Sequence, residues 1–280
     1  MENAEKKNFF ELMDSRSAMI VGAVAGLLTL CTIGFVVLLV MSLTKGVNCS
    51  AAGMGDDKTT AQAQQTAQEQ QAVTQAPKTD KPKVELFVMS YCPYGLQMEK
   101  AYLPVVNLLG KKAEMEIKFV SYAMHGEKEI KENTRQYCIQ KEQSAKFVKY
   151  LSCFTGKDDY AACLKEAGVS ESQVNTCMTK ADKQFGITAK FDDKASWLSG
   201  QFPIYPVHQS DNDNYGVQGS PTLVINGVQV DAARSPEAVK QAICQSFNKA
   251  PSECETTLST QSAAPSFGTG AGTNTDASCG

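Results

Sequence analysis

One cysteine, at a predicted strand-to-helix turn, constrains the fold of this chain more than any other feature. Cys92 stands in the segment Ser90–Gly95, directly after the apolar run Val84–Met89, and a helical apolar stripe begins near Leu96. The N-terminus of a helix presents unpaired N–H groups and the positive end of the helix dipole, which favour a thiolate over a thiol. Because the thiolate is the nucleophile of disulfide exchange, this position predicts both an α/β arrangement and redox chemistry.

The charge and the cysteine pattern exclude several classes of function. The 280 residues carry a formal net charge of −3 with Lys and Arg scattered, so no basic patch indicates nucleic-acid binding. Of ten cysteines, seven lie between Lys81 and Glu255, and no two form a Cys-x-x-Cys pair. Their wide spacing argues against a zinc site, and no metal or other cofactor is predicted. Disulfides outside the cytosol are favoured, and buried free thiols are the alternative.

A long uncharged run near the N-terminus predicts a membrane anchor. Ala18–Leu43 is 26 residues without a charge, which exceeds the roughly 20 residues that cross a bilayer and the core of a cleaved signal peptide. Basic residues precede the run, and the cysteine-rich part follows it. We therefore expect a signal anchor at the cell membrane, with a cytoplasmic N-terminus and an extracytoplasmic domain.

Composition divides the rest of the chain. Residues 1–17 read as a short cytoplasmic leader. Residues 44–80, rich in Gln, Ala and Thr, predict a flexible linker. Residues 257–280 are rich in Ser, Thr, Ala and Gly, with Pro265, and predict a disordered tail in which Cys279 is exposed. Residues 81–256 remain as one domain of ordinary size.

Apolar periodicity and turn residues predict the elements of that domain. In chain order they are strand 84–89, helix 96–109 with a kink at Pro104, strand 115–122, helical region 127–187, strand 221–225, strand 228–230 after an Asn-Gly turn, and helix 236–247, which Ser235 caps. The order is β-α-β, a helical insert, then β-β-α. It predicts an α/β domain with a mixed sheet of about four strands flanked by helices.

With these residues in place the sequence resembles the thioredoxin fold. The Cys-Pro-x-x turn follows the first strand, and Gly219–Thr222 resembles the cis-proline loop before the third. The helical insert resembles that of DsbA. The block Ala123–Glu129 and the later cysteines are similar to those of the gamma-interferon-inducible lysosomal thiol reductase family. The resemblance implies that the proline loop lies beside Cys92 and pairs its backbone with a substrate peptide.

The chain departs from that family at three positions. Gly95 stands where the second active-site cysteine would be, and Ala123 and Ile130 replace two further cysteines. A mixed disulfide on Cys92 must then be resolved by an outside thiol or by another cysteine of the chain. A cysteine placed at position 95 would restore a resolving thiol.

Three residues near the predicted site remain to be interpreted, and two of them have two interpretations. Pro93 suits the first helical turn, and Tyr94 either shapes the turn or is merely exposed. Pro221, after Ser220, is either a cis-proline or an ordinary proline leading a strand.

Two histidines and six cysteines complete the set. His125 and His208 have no clustered second histidine, so a structural role is favoured for both. Six cysteines are predicted to form disulfides whose pairing the sequence leaves open: Cys138, Cys153, Cys163, Cys177, Cys244 and Cys254.

These observations predict a membrane-anchored, extracytoplasmic thiol–disulfide oxidoreductase of the monothiol reductase or isomerase type, with Cys92 as its catalytic residue. Its partners would be protein or small-molecule thiols and disulfides, and the membrane by one span. The alternative is a non-enzymatic thioredoxin-like binding or chaperone module. A third hypothesis is a subunit of an envelope complex that uses the span as its contact.

Overall fold

The computed structural model describes residues 75–270. The predicted leader, the membrane span at 18–43 and most of the linker lie outside these residues. Within the described part, no helix is both long and apolar enough to cross a bilayer. The chain divides into two compact units, Met1–Thr66 and Ala67–Gly280, and every described residue belongs to the second.

Four strands and eight α-helices form the described domain. In chain order they are β1 (Lys83–Val88), α1 (Pro93–Leu109), β2 (Glu114–Phe119), α2 (Glu127–Glu142), α3 (Ser144–Lys157), α4 (Tyr160–Ala167), α5 (Glu171–Phe185), α6 (Ile187–Asp192), α7 (Gln209–Tyr215), β3 (Thr222–Ile225), β4 (Val228–Gln229) and α8 (Pro236–Cys244). The predicted α/β order of β-α-β, helical insert and β-β-α is thus the observed one.

The strands form one mixed sheet in the order β2-β1-β3-β4. β1 pairs with β2 in parallel, with Leu86 opposite Ile117, and with β3 in antiparallel, with Leu86 opposite Leu223. β3 and β4 form the predicted hairpin, whose Asn226 and Gly227 both have positive φ. This is the sheet of a thioredoxin-like fold, and β1 is one of its two central strands.

Successive side chains of β1 point to opposite faces of the sheet. Val84, Leu86 and Val88 are fully buried in the main core, on the face against which α1 packs. Phe87 and Met89 belong to a second, smaller cluster on the other face, and that cluster contains Cys92. The last side chains of the strand are therefore packed on both faces of the sheet, and this packing positions Cys92, which follows.

The start of α1 differs slightly from the prediction. α1 begins at Pro93 rather than at Leu96, because Cys92 is the N-cap and a proline fits the first helical position. The helix continues through Pro104 to Leu109. Ser170 stands at the N-cap of α5, but its side chain makes no capping hydrogen bond.

Three disulfides link the helices. Cys138–Cys177 joins α2 to α5, Cys153–Cys163 joins α3 to α4, and Cys244–Cys254 joins the end of α8 to the turn after it. All six cysteines expected to form bridges are therefore paired, and the pairing left open by the sequence is resolved. The longest loop, between Cys138 and Cys177, spans 39 residues, and closing it stabilises the fold by about 4 kcal/mol in the chain-entropy account.

Residues 257–270 differ from the predicted disordered tail, because they lie against the domain. Leu258 packs on the main core and Pro265 is buried. The Lys100 ammonium donates to the carbonyl oxygens of three residues of this segment. Small polar residues dominate the composition of this segment, whereas only a few apolar and backbone contacts hold it against the domain. Composition alone therefore does not predict that it packs. The domain extends beyond the predicted boundary at residue 256.

His208 is a partly buried histidine that packs beside β2. The Phe119 N–H donates to its Nδ1 at 3.1 Å, and its ring stacks on Phe119 at 5.8 Å. Burial, and after it the nearby Lys118 ammonium, lower the pKa of His208 to about 4 against the opposing effect of the Asp211 and Glu85 carboxylates. The ring is therefore neutral at pH 7, and its structural role agrees with the sequence interpretation.

This neutral histidine predicts a loss of stability in mild acid. The pKa of His208 in the folded protein lies below the unfolded value of about 6.5. The stability that the neutral imidazole contributes is therefore complete above pH 6.5 and is lost as the pH falls toward 4. The loss is about 3 kcal/mol. His208→Gln keeps an acceptor but removes the proton site. Urea unfolding should show that wild type loses more stability than the variant between about pH 7 and about pH 4.5. An equal loss in both proteins would contradict the assignment.

Candidate functional site

The Cys92 sulfur lies at the N-terminus of α1. The Cys92 N–H donates to the Met89 carbonyl oxygen at 2.9 Å, which closes the turn between β1 and α1. Cys92 is the N-cap and Pro93 the first helical residue, and the Gly95 N–H donates to Cys92 Sγ at 3.4 Å. One of the otherwise unpaired N–H groups of the helix therefore points at the sulfur, and it would stabilise negative charge there.

The proline loop lies beside this sulfur. Ser220–Pro221 is a cis peptide, and the Ser220 carbonyl oxygen is 3.5 Å from Cys92 Sγ. The Ser220 hydroxyl accepts a hydrogen bond from the Met89 N–H at 2.9 Å. The structure therefore brings together the two segments that the sequence separates by 128 residues.

Gly95 is required by this close approach. A Cβ at position 95 would lie 2.6 Å from Ser220 Oγ and 3.0 Å from the Met89 carbonyl oxygen. The sequence expectation that a cysteine here would simply restore a resolving thiol therefore needs correction. The space for its side chain is filled by the hydroxyl that holds the proline loop against β1.

Tyr94 is partly buried rather than merely exposed. Its ring packs against the small cluster that contains Cys92, Phe87 and Met89. The Arg234 guanidinium lies over the ring, with Cζ 4.7 Å from the centroid. Tyr94 thus forms one wall beside the sulfur and carries a cation on its outer face.

Glu129 holds the turn from the other side. Its carboxylate is completely buried and accepts hydrogen bonds from the N–H groups of Tyr91 at 3.1 Å and Met124 at 2.8 Å. His125 Nδ1 lies 2.8 Å from the same carboxylate. The residue preceding Cys92 is therefore tied to the block that contains His125. His125 therefore belongs to this hydrogen-bond network.

Asn133 and Glu129 are site residues that the sequence analysis did not single out. The Ser90 N–H donates to Asn133 Oδ1 at 3.1 Å, so two successive backbone groups before Cys92 are held by α2. Both side chains are fully buried although polar. Polar residues on the core face of a predicted helix are the signal that could have indicated them, because buried polar groups must have partners.

A buried ion pair lies behind the small cluster. Lys118 on β2 contacts Glu85 on β1 and Asp211 on α7, at 2.5 and 2.6 Å. Burial alone would raise the pKa of Glu85, but the hydrogen bonds from Lys118 and Lys83 outweigh it and lower that pKa. The carboxylate therefore stays ionised on the same sheet face as Cys92.

Cys92 itself is disulfide-bonded. The other six cysteines of the described range pair with one another. No group of three or more His, Cys, Asp or Glu residues in that range could hold a metal ion.

Several solved structures are similar to this chain. DsbA from Mycobacterium tuberculosis in its reduced form is 16% identical, covers 65% of this chain and 91% of its own, and has a TM-score of 0.44. DsbG from the same organism is 18% identical, with coverages of 65% and 87% and a TM-score of 0.43. BdbD from Bacillus subtilis is 14% identical, with coverages of 65% and 92% and a TM-score of 0.39.

No family model and no curated protein matches the sequence. The resemblance to the gamma-interferon-inducible lysosomal thiol reductase family finds no support in these comparisons. The assignment of the fold rests on this chain's own sheet order, its Cys-Pro turn and its cis-proline loop.

The packing around Gly95 predicts an unusual response to alanine. Alanine in a helix is ordinarily better than glycine by about 1 kcal/mol. Gly95→Ala should instead lower the free energy of unfolding by about 1–3 kcal/mol, because its Cβ meets Ser220 Oγ and the Met89 carbonyl. Urea denaturation followed by circular dichroism measures the change.

Gly156→Ala in α3 is the matched control. Its Cβ would meet only Thr269 Cγ2, at an ordinary 3.7 Å, so this variant should be as stable as wild type or more stable. If Gly95→Ala behaved like Gly156→Ala, the packing described for the site would be wrong.

Proposed function

We propose that this chain is a thiol–disulfide oxidoreductase whose nucleophile is Cys92. The observation that carries the proposal is the placement of Cys92 Sγ at the N-cap of α1, 3.4 Å from the Gly95 nitrogen and beside the Ser220 carbonyl oxygen. The helix N-terminus would favour the thiolate, which attacks one sulfur of a disulfide and forms a mixed disulfide.

The proline loop supplies the place for a substrate. In the thioredoxin-like folds that the sequence resembles, the backbone beside the cis-proline pairs with the substrate peptide. Here the corresponding residues are Ser220 and Pro221, next to Cys92. Its partners would be protein or small-molecule thiols and disulfides, and no nucleic acid.

Position 95 supports the monothiol type within the active-site turn. Gly95 supplies no second thiol, and the Ser220 hydroxyl occupies the space that one would need. Release of the substrate then depends on a thiol from elsewhere. The same feature is the argument for the alternative, a non-enzymatic thioredoxin-like binding or chaperone module.

The proposal includes an extracytoplasmic location and one membrane anchor. Three disulfides in the described domain are typical of proteins outside the cytosol. The uncharged run at 18–43 would supply the anchor, and the basic residues before it favour a cytoplasmic N-terminus.

Cys92→Ser tests the chemistry. The variant should lose thiol-dependent reduction of insulin, because serine is not a nucleophile toward disulfides under these conditions. The double variant Cys244→Ala/Cys254→Ala removes a bridge away from the site and should retain the activity of folded protein. If Cys92→Ser were as active as wild type, the enzyme proposal would fail and the binding module would be favoured.

Protease accessibility tests the location. Protease added to intact cells or spheroplasts should remove the domain, while a cytosolic marker protein stays intact. Digestion of the domain only after lysis would contradict the proposed orientation.

A further inference from the structure

One arginine lies against the residues of the active-site turn. Arg234 stands in the loop between β4 and α8, directly before Ser235, which caps α8. Its guanidinium lies over the Tyr94 ring, with Cζ 4.7 Å from the ring centroid. Tyr94 in turn packs against the small cluster that contains Cys92. The guanidinium therefore lies on the outer side of a ring that borders the cluster with the sulfur.

A buried glutamine of α1 also contacts this arginine. Gln97 Nε2 donates to the Ala263 carbonyl oxygen at 2.7 Å, which leaves the amide oxygen of Gln97 as an acceptor. That oxygen lies 3.5 Å from Arg234 Nη1. The guanidinium is therefore positioned by two side chains of α1, the Tyr94 ring and the Gln97 amide.

Most donors of this guanidinium remain available to a ligand. A guanidinium carries five N–H donors in one plane. Within residues 75–270, the contact with Gln97 is the one hydrogen bond of the Arg234 side chain. No carboxylate of that range is close enough to form an ion pair with it. A carboxylate of a ligand could therefore accept two parallel hydrogen bonds from Arg234.

A small cavity joins the arginine to the cis-proline loop. Its volume is about 140 Å³, and Pro221 and Thr222 line it together with Arg234. The Ser220 carbonyl oxygen, next to Pro221, is 3.5 Å from Cys92 Sγ. Pockets that enclose a whole small molecule measure roughly 300–1,000 Å³. This cavity therefore suits one side chain or one terminal group of a substrate whose disulfide lies at Cys92.

We propose that Arg234 is a specificity-determining residue that binds a carboxylate of the substrate, next to the disulfide that Cys92 attacks. The preferred substrates are then anionic disulfides. The carboxylate belongs either to an acidic residue beside the cysteine of a peptide or to a small acidic thiol. The inference rests on the proposed function of Cys92 and adds the substrate class to it.

The arginine positions the substrate and takes no part in the exchange of bonds. The Cys92 thiolate attacks one sulfur of the substrate disulfide, and an S–S bond to Cys92 forms. The substrate S–S bond breaks, and the second substrate thiolate leaves and takes up a proton from water. The Arg234 guanidinium holds the carboxylate during this step, so its effect depends on the charge of the substrate.

Asp231 is the acidic group that opposes Arg234 in the cavity. It lines the same cavity and its side chain is exposed. A carboxylate bound to Arg234 would be repelled by Asp231, because like charges at short distance destabilise each other. Removal of the Asp231 charge and removal of the Arg234 charge should therefore change the preference for anionic disulfides in opposite directions.

Two disulfides of similar size and different charge test the inference on the full-length protein. They are dithiodipropionate, which is a dianion, and hydroxyethyl disulfide, which is neutral. The protein is reduced under native conditions, and the rate of mixed-disulfide formation on Cys92 is followed by acid quenching and mass spectrometry. The selectivity is the rate with the dianion divided by the rate with the neutral compound. Damage to the fold slows both reactions and cancels in this ratio.

Arg234→Gln should lower the selectivity about three- to fivefold at low salt, the range expected for one exposed ion pair. Asp231→Asn should raise it. The matched control is Lys180→Gln, which removes one positive charge from an exposed position of α5 and should keep the wild-type selectivity. An unchanged selectivity in Arg234→Gln, or an equal decrease in the Lys180 control, would overturn the inference.

A pair of peptide disulfides with Asp or Asn beside the cysteine distinguishes the two sources of the carboxylate. A loss of selectivity in Arg234→Gln for the peptides alone would assign the carboxylate to a peptide side chain, and a loss for the small disulfides as well would include small acidic thiols. If Cys92 of the wild type formed a mixed disulfide with none of these compounds, the proposed function itself would fail.

Discussion

The structure depends on the placement of one sulfur between a strand end and a helix N-terminus. Cys92 caps α1, and the Gly95 N–H points at Sγ. The N–H groups at the start of the helix need a hydrogen-bond acceptor, and a thiolate is stabilised by a donor. The contact between the Gly95 N–H and Sγ therefore stabilises the helix and would also stabilise the thiolate. Two further side chains hold the residues that precede Cys92 in place. Ser220 ties the proline loop to Met89, and Glu129 ties Tyr91 to α2.

This arrangement explains why a glycine stands where a second cysteine is common in thioredoxin-like sites. The Ser220 hydroxyl lies in the space of a Cβ at position 95 and accepts the Met89 N–H. Rotating the hydroxyl away would leave that buried N–H unpaired, which costs about 1–3 kcal/mol. Ser220 and Gly95 therefore pack as a pair, and any thiol that resolves a mixed disulfide on Cys92 must come from outside the active-site turn.

Much of the fold could be predicted from local pattern. The apolar run at β1, the Asn-Gly hairpin and the Ser235 cap of α8 each indicate their element through neighbouring residues, and the order of elements determines the sheet. Cys92 could be predicted for the same reason. The helical pattern could have indicated that Glu129 and Asn133 are buried, but not which groups they bind. It could not have indicated the packing of residues 257–270, because these contacts are with residues distant in sequence. The disulfide pairing was equally inaccessible, since spacing does not say which helices lie side by side.

The pH dependence of Cys92 alkylation tests the central claim most directly. The full-length protein is reduced under native conditions and treated with iodoacetamide across a range of pH, and modification of Cys92 is followed by mass spectrometry. The rate follows the thiolate fraction. If the helix N-terminus stabilises the thiolate, the midpoint of the rate lies clearly below the value of about 8.5 for a free cysteine. A midpoint at or above that value would contradict the account.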